Sequence, residues 1–104
     1  MYMFFVHVPE SHVEAVKTAM FAAGAGRLGN YSCCSWQVKG EGQFCPEAGS
    51  NAYIGKVGIV EKVVEYKVTT VCVDAAVVKA VITAMKKAHP YEMPAYGVVK
   101  LEDF

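Results

Sequence analysis

The first segment of the chain alternates in a period of two. In residues 2–8, one face carries Tyr2, Phe4, Val6 and Val8, and the other face carries the residues between them. Aromatic and β-branched residues in such alternation are typical of a β-strand. Pro9 ends the strand, because proline has no amide hydrogen to donate to a sheet.

Two later segments change to the period of an α-helix. Residues 12–23 and 75–88 carry apolar residues three or four positions apart. Ser11 and Glu14 have the spacing of a capping box, which predicts side-chain hydrogen bonds at the start of the first helix. Asp74 is the predicted N-cap of the second helix.

The remaining apolar segments predict three further strands at residues 31–38, 61–73 and 96–101. Between the first two lies a loop, residues 39–60, whose glycines and polar residues are typical of irregular structure, and loops of this length are often functional. The order β-α-β-β-α-β predicts an α+β, ferredoxin-like sandwich with an antiparallel four-stranded sheet and two helices on one face. We expect residues 1–104 to form a single domain.

The first strand is apolar on both faces, although the predicted helices cover only one. Met3 and Phe5 lie on the face opposite to Phe4 and Val6. An exposed apolar face usually marks an interface. The pattern therefore favours an oligomer in which sheets pack against each other.

Charge and composition narrow the classes of partner. Ten basic and ten acidic residues cancel, and no basic run indicates nucleic-acid binding. No segment has the roughly 20 apolar residues of a membrane span. The N-terminal segment lacks the features of a secretion signal, which predicts a cytoplasmic protein. The four cysteines have neither disulfide-motif nor zinc-finger spacing, which favours reduced thiols.

Gly24, Gly26 and Gly29 have the G-x-G-x-x-G spacing of a dinucleotide-binding turn. That motif requires a strand before it and a helix after it, whereas here the predicted helix comes first. We therefore interpret Gly24 as a helix C-cap and the other two glycines as turn residues. A narrower hypothesis is that Arg27, Asn30 and nearby backbone amides bind an anion, with the adjacent Tyr31 as a further candidate ligand-binding residue; the alternative is a solvated arginine.

His89, Tyr91 and Glu92 form the most suggestive polar group. The structural interpretation is a histidine that favours a helix C-terminus, followed by Pro90, which stops the helix. The functional interpretation makes all three ligand-binding candidates, with His89 and Glu92 as metal ligands or an acid–base pair. No nucleophile motif, P-loop or persuasive carboxylate pair is present, so no catalytic residues are predicted.

Three segments together resemble the YqfO-type domain of the Nif-three-like family: GAGRLGNYSCCSW, GQFCPEAGSNAYIGKVGIVEKVVEYKV and AHPYEMPAY. In many family members this domain is inserted between the two halves of a metal-binding protein, and it also occurs alone. The resemblance implies a fold similar to CutA and PII proteins, which are trimers of ferredoxin-like subunits. It also implies that ligands bind at subunit clefts and in the loop formed here by residues 39–60.

The dinuclear metal centre of the longer family members belongs to their flanking halves and is not carried over to this chain. Three positions depart from the family pattern. Met93 replaces an expected acidic residue, Cys45 stands where a basic or polar residue is usual, and Ala52 stands where proline is common. The loss of an acid at position 93 weakens the metal interpretation of this turn.

Three functions compete. The leading hypothesis is a non-enzymatic oligomeric regulatory module, expected to be a homotrimer, that needs no cofactor and binds a small molecule or a partner protein. The second is a divalent-metal protein of the CutA type that binds copper or zinc through His89 and Glu92. The third is a small enzyme whose site between subunits combines His89, Tyr91, Glu92 and Arg27.

Overall fold

A computed structural model describes all 104 residues. A 3-10 turn, Glu10–His12, connects the first strand to the first helix. The strands and helices occur in the predicted order, and their bounds are β1 Tyr2–Pro9, α1 Val13–Ala22, β2 Ser35–Phe44, β3 Glu61–Cys72, α2 Ala75–Ala88 and β4 Tyr96–Lys100.

The four strands form one antiparallel sheet in the order β2-β3-β1-β4. Each helix connects two parallel strands that are separated by a third strand between them, which is the split βαβ arrangement of the ferredoxin-like fold. The predicted fold class is therefore confirmed. The last four residue pairs of the β2–β3 hairpin extend beyond the end of β1, and the molecule measures 46 Å along its longest axis.

The hydrophobic core lies between the helices and one face of the sheet. The even-numbered residues from 4 to 8 in β1 and from 68 to 72 in β3 point into it, in agreement with the predicted alternation. Both helices contribute apolar side chains at helical spacing. The largest fully buried side chains are Phe4, Val6, Val8, Val16, Met20, Val68, Cys72, Val81 and Met85.

The opposite face of the sheet carries no helix. Met3, Phe5 and Val99 lie on this open face because they alternate with the core residues of β1 and β4. Trp36 lies there too, opposite Thr69, and 68% of its surface is exposed. This apolar open face agrees with the pattern predicted for the first strand.

The start of α1 corrects the predicted capping box. No side chain caps the helix; the Ser11 hydroxyl instead makes a 2.7 Å hydrogen bond with Nδ1 of His12. The reason is the 3-10 turn, which places Ser11 inside a helical turn and not at the extended position of an N-cap. At α2 the predicted cap is confirmed, since Asp74 Oδ1 accepts from the Val77 amide at 2.9 Å.

Gly24 closes α1 as predicted. Its amide donates to Phe21 O, and the Ala25 amide donates to Met20 O, which together form a Schellman motif. Gly26 follows with φ of +81°, and its amide donates to Val71 O. A Cβ at position 26 would lie 2.8 Å from the Cys34 nitrogen, so the backbone crosses here closely enough to require glycine.

The bounds of the second strand differ from the prediction of residues 31–38. Cys34 bonds through its amide to Gly26 O and through its carbonyl to the Thr70 hydroxyl, so residues before Ser35 do not pair with β3. The strand then continues to Phe44, through Gly40 and Gly42, because β3 provides pairing partners as far as Glu61. The irregular loop is therefore residues 45–60, shorter than the predicted 39–60.

The cysteine thiols occupy different environments. Cys72 is fully buried, and its burial, together with the nearby Asp74 carboxylate, raises the pKa of its thiol. Cys33 is exposed and has φ of +57°. No helix is long and apolar enough to cross a membrane.

Candidate functional site

A cleft of about 640 Å³ opens on the helix-free face where the β2–β3 hairpin extends beyond β1. Volumes of this size are typical of small-molecule sites. His7, Lys67 and Val38 lie in one row across three strands and line the sheet side of the cleft. Residues 45–54 and 91–95 contribute the other walls.

Tyr91 and Glu65 join two walls of the cleft. The Tyr91 hydroxyl donates to Glu65 Oε2 at 3.0 Å. Burial, and then this hydrogen bond to a carboxylate, raise the pKa of Tyr91, which keeps its hydroxyl protonated as a donor. Gly42 makes room for the pair, because a Cβ at this position would collide with the Glu65 carboxylate.

His89 holds Tyr91 in place from beneath. His89 is 6% exposed, its ring Nε2 lies 2.8 Å from His7 O, and its Nδ1 lies 3.1 Å from the Tyr91 amide nitrogen. A carbonyl only accepts and an amide only donates, so the proton is on Nε2 and the ring is neutral. Burial lowers the pKa of His89 and favours the same neutral form.

Glu92 anchors the loop that covers the cleft. Its Oε2 accepts from the Asn51 amide at 3.0 Å, which connects the segment after α2 to the middle of loop 45–60. The base of the loop is closed by a hydrogen bond from the Gly58 amide to Pro46 O at 2.8 Å. The predicted long loop is thus a wall of the cleft.

The predicted metal ligands have other partners. Both His89 ring nitrogens are engaged with the backbone, and a metal could bind there only by displacing one of these hydrogen bonds. Nowhere in the chain are three or more His, Cys, Asp or Glu side chains grouped to hold a metal ion. The geometry assigns His89 a positioning role and gives no support to the copper- or zinc-binding hypothesis.

The other candidate residues lie at the far end of the sheet. Arg27, Asn30 and Tyr31 are exposed in the turn after α1, which is attached to β3 through Val71. Tyr91 is attached to Glu65, six residues away along the same strand, or about 20 Å at 3.3 Å per residue. Within one chain, Arg27 is therefore separate from His89, Tyr91 and Glu92.

Several cleft residues were not singled out by the sequence. The Glu65 carboxylate pairs with Tyr91, and two aromatic rings, those of Phe44 and Tyr53, have centroids 6.0 and 6.3 Å from the Tyr91 ring. Glu65 looks like an ordinary polar position of an alternating strand. The only local signal is the G-x-G of Gly40 and Gly42 opposite it, which leaves space on this face.

No family model matches the chain. Longer proteins with similar sequences do match it. The chain is 47% identical over 96 residues to a Mycobacterium leprae protein named GTP cyclohydrolase 1 type 2 homolog. The matched segment covers 92% of this chain and 25% of that protein. A Bacillus subtilis protein of the same name is 44% identical over 97 residues, covering 93% of this chain and 26% of its own length. The chain spans about a quarter of the length of these relatives.

Solved structures give the same result. A Bacillus cereus protein related to NIF3 superposes with a TM-score of 0.83 at 39% identity, over 98% of this chain and 26% of that one. CutA from Xylella fastidiosa superposes with a TM-score of 0.71 over 99% of this chain and 85% of its own, and at 19% identity this similarity shows the fold alone. The resemblance is confirmed: the chain is homologous to a quarter-length segment of Nif-three-like proteins and has a CutA-like fold.

Proposed function

We propose that this chain is a non-enzymatic regulatory module that assembles with copies of itself and binds a small molecule in the cleft. The observation that carries the proposal is the cleft itself, a volume of about 640 Å³ on the helix-free face with walls held by Tyr91–Glu65 and Glu92–Asn51 hydrogen bonds. A preformed concave site with apolar walls and a few fixed polar groups is the usual form of a ligand site.

Self-assembly is supported by the apolar open face beside the cleft. Trp36 and Val99 are 68% and 44% exposed on this face. Covering such residues with a second copy removes apolar surface from water. The CutA-like fold supports a homotrimer as the specific assembly. This argument for assembly does not depend on the residues of the cleft.

Adjacent residues of β4 provide a matched test of assembly. Val99 lies on the open face and Val98 on the helix face, with exposures of 44% and 37%. We expect Val99→Glu to convert the oligomer to monomers in light scattering, while Val98→Glu preserves its mass. A wild-type protein that stays monomeric at micromolar concentration would refute the assembly.

Native mass spectrometry of the protein purified without added ligand tests the binding role. We expect a mass of three chains with a reproducible additional mass from a bound small molecule. A bare trimer would preserve assembly and direct the search to protein partners. Because His89 and Tyr91 are engaged in hydrogen bonds within the chain, we also expect no conversion of GTP, the compound in the relatives' name, above a buffer control.

A further inference from the structure

The walls of the cleft combine aromatic rings with negative charge. Phe44 and Tyr53 flank Tyr91 at centroid distances of 6.0 and 6.3 Å, so three rings form one aromatic wall. Tyr53 is half exposed and Tyr91 partly buried, which leaves ring surface that faces the cleft. The faces of such rings carry a negative potential that attracts cations.

The charged residues around the cleft are unbalanced, although the chain as a whole is neutral. Four carboxylates line it, and Lys67 supplies the only ammonium group; the carboxylates are Glu41, Glu47, Glu65 and Glu92. The Lys67 Nζ lies 5.0 Å from the centroid of the Phe5 ring, where it is already engaged in a cation–π contact. A ligand therefore meets excess negative charge.

Two of these carboxylates are fixed and still have capacity to accept hydrogen bonds. Glu65 and Glu92 are held through Oε2, by the Tyr91 hydroxyl and the Asn51 amide. Each carboxylate has a second oxygen that can accept from a donor in the cleft. Charge-assisted hydrogen bonds of this kind are about twice as strong as neutral ones.

We infer that the cleft binds an organic cation, a guanidinium, amidinium or ammonium group carried on an apolar body. The charged head pairs with Glu65, and the body lies against Phe44, Tyr53 and Tyr91. This inference rests on the proposed function and names the class of its ligand. A nucleotide fits less well, because its phosphates would face four carboxylates with one lysine to offset them.

Three probes of the same shape separate charge from fit: benzamidine, which is cationic, benzamide, which is neutral, and benzoate, which is anionic. Each is titrated into the ¹⁵N-labelled protein, and amide shifts of Gly42, Tyr53 and Tyr91 report binding in the cleft. We expect benzamidine to bind at least about tenfold more tightly than benzamide, and benzoate to cause no shift. The affinity of benzamidine should fall as the salt concentration is raised.

Matched variants test the assigned residues. Glu65→Gln retains an acceptor for the Tyr91 hydroxyl and should weaken benzamidine about tenfold without changing benzamide. Glu14→Gln removes a carboxylate that pairs with Lys17 outside the cleft and should change neither. Tyr53→Leu should weaken benzamidine more than benzamide, whereas Tyr53→Phe retains the ring and its affinity.

The outcomes distinguish this inference from the proposed function. Equal affinities for benzamidine and benzamide would overturn the preference for a cation but would still show that the cleft binds small molecules. Tighter binding of benzoate would also overturn it. If no probe shifts the cleft amides, both the cation and small-molecule binding at this cleft fail, while the oligomer is judged separately from its mass.

Discussion

The two segments that follow the helices each lead from a helix into a strand, and they have different roles in the structure. Residues 24–34 follow α1, residues 89–95 follow α2, and each contains a turn residue and candidate ligand-binding side chains. After α1, the long-range hydrogen bonds use only backbone groups of the segment, as in Gly26 N to Val71 O and the Thr70 hydroxyl to Cys34 O. After α2, one backbone bond from the His7 amide to Ala95 O is joined by three that use the side chains of His89, Tyr91 and Glu92.

This difference determines which segment can form a site. A turn held by its backbone requires a particular residue only where packing is too close for a side chain or where φ is positive. Its other side chains are free to point into water. A turn held by side chains fixes their orientation, and here that fixes one wall of the cleft. The same contrast indicates where substitutions should matter: at a glycine in the first segment and at polar side chains in the second.

The largest expected effect is that of Gly26→Ala. The new Cβ would lie 2.8 Å from the Cys34 nitrogen and 2.9 Å from its oxygen, at φ of +81°. Strain and overpacking together should lower the free energy of unfolding by about 3–5 kcal/mol. Urea unfolding at constant m-value measures the loss.

Gly29→Ala is the matched control in the same turn. Gly29 also has positive φ, +54°, but no atom lies within 4 Å of a Cβ there. Only the left-handed backbone opposes alanine, which should cost about 1 kcal/mol. Equal losses for the two variants would show that the backbone crossing at Cys34 is looser than the structure indicates.

The next effect is that of His89→Leu. Leucine fills a similar volume but leaves His7 O and the Tyr91 amide without partners, so stability at pH 7.5 should fall by about 2–3 kcal/mol. Because burial lowers the pKa of His89, the unfolded chain binds the proton first as pH falls below about 6.5. His89 therefore stabilises the fold above that pH, and its contribution is lost on acidification.

The difference in unfolding free energy between wild type and His89→Leu should consequently decrease from pH 7.5 to pH 5. Taking the difference cancels the other titrating groups, which both proteins share. A constant difference across this range would mean that the ring is not held neutral by its two backbone partners.

A smaller effect is expected from Tyr91→Phe, which removes the hydroxyl that donates to Glu65. The ring remains, so the loss is that of one partly exposed hydrogen bond to a carboxylate, about 1 kcal/mol. Tyr31→Phe is the control, because Tyr31 is 75% exposed and its hydroxyl makes no hydrogen bond within the protein. Thermal unfolding should separate the two variants by several degrees.

The sequence predicted the sheet and helices well because their signal is periodic and local. Val13, Val16 and Met20 repeat at helical spacing whatever they pack against. The capping box failed because Ser11 and Glu14 have the correct spacing but the helical turn already begins at Glu10, before Ser11. The missed end of β2 has a similar cause: Gly40 and Gly42 weaken a strand locally, while pairing with β3 stabilises it.

The candidate site was only half predictable for the same reason. His89, Tyr91 and Glu92 stand together in the sequence, so their unusual composition was visible. Glu65 and Phe44 reach them only through strand register, which pairs residues far apart in the chain. Chemistry groups Arg27 with His89, and only the sheet shows that they are attached at different places, the turn of Arg27 to Val71 of β3 and His89 to His7 of β1.

The smallest expected effect, and the sharpest test of the comparison, is that of Arg27→Ala. Arg27 is exposed and has no ion-pair partner in the chain, so stability should change by less than about 0.5 kcal/mol. Benzamidine binding at the cleft should not change either, because the turn that carries Arg27 is attached to β3 six residues, or about 20 Å, from Glu65 within one chain. If the variant alters binding while the oligomer stays intact, Arg27 must reach the cleft of a neighbouring copy. That result would revive a shared site between subunits, in which the backbone-held turn of one chain completes the side-chain-held turn of the next.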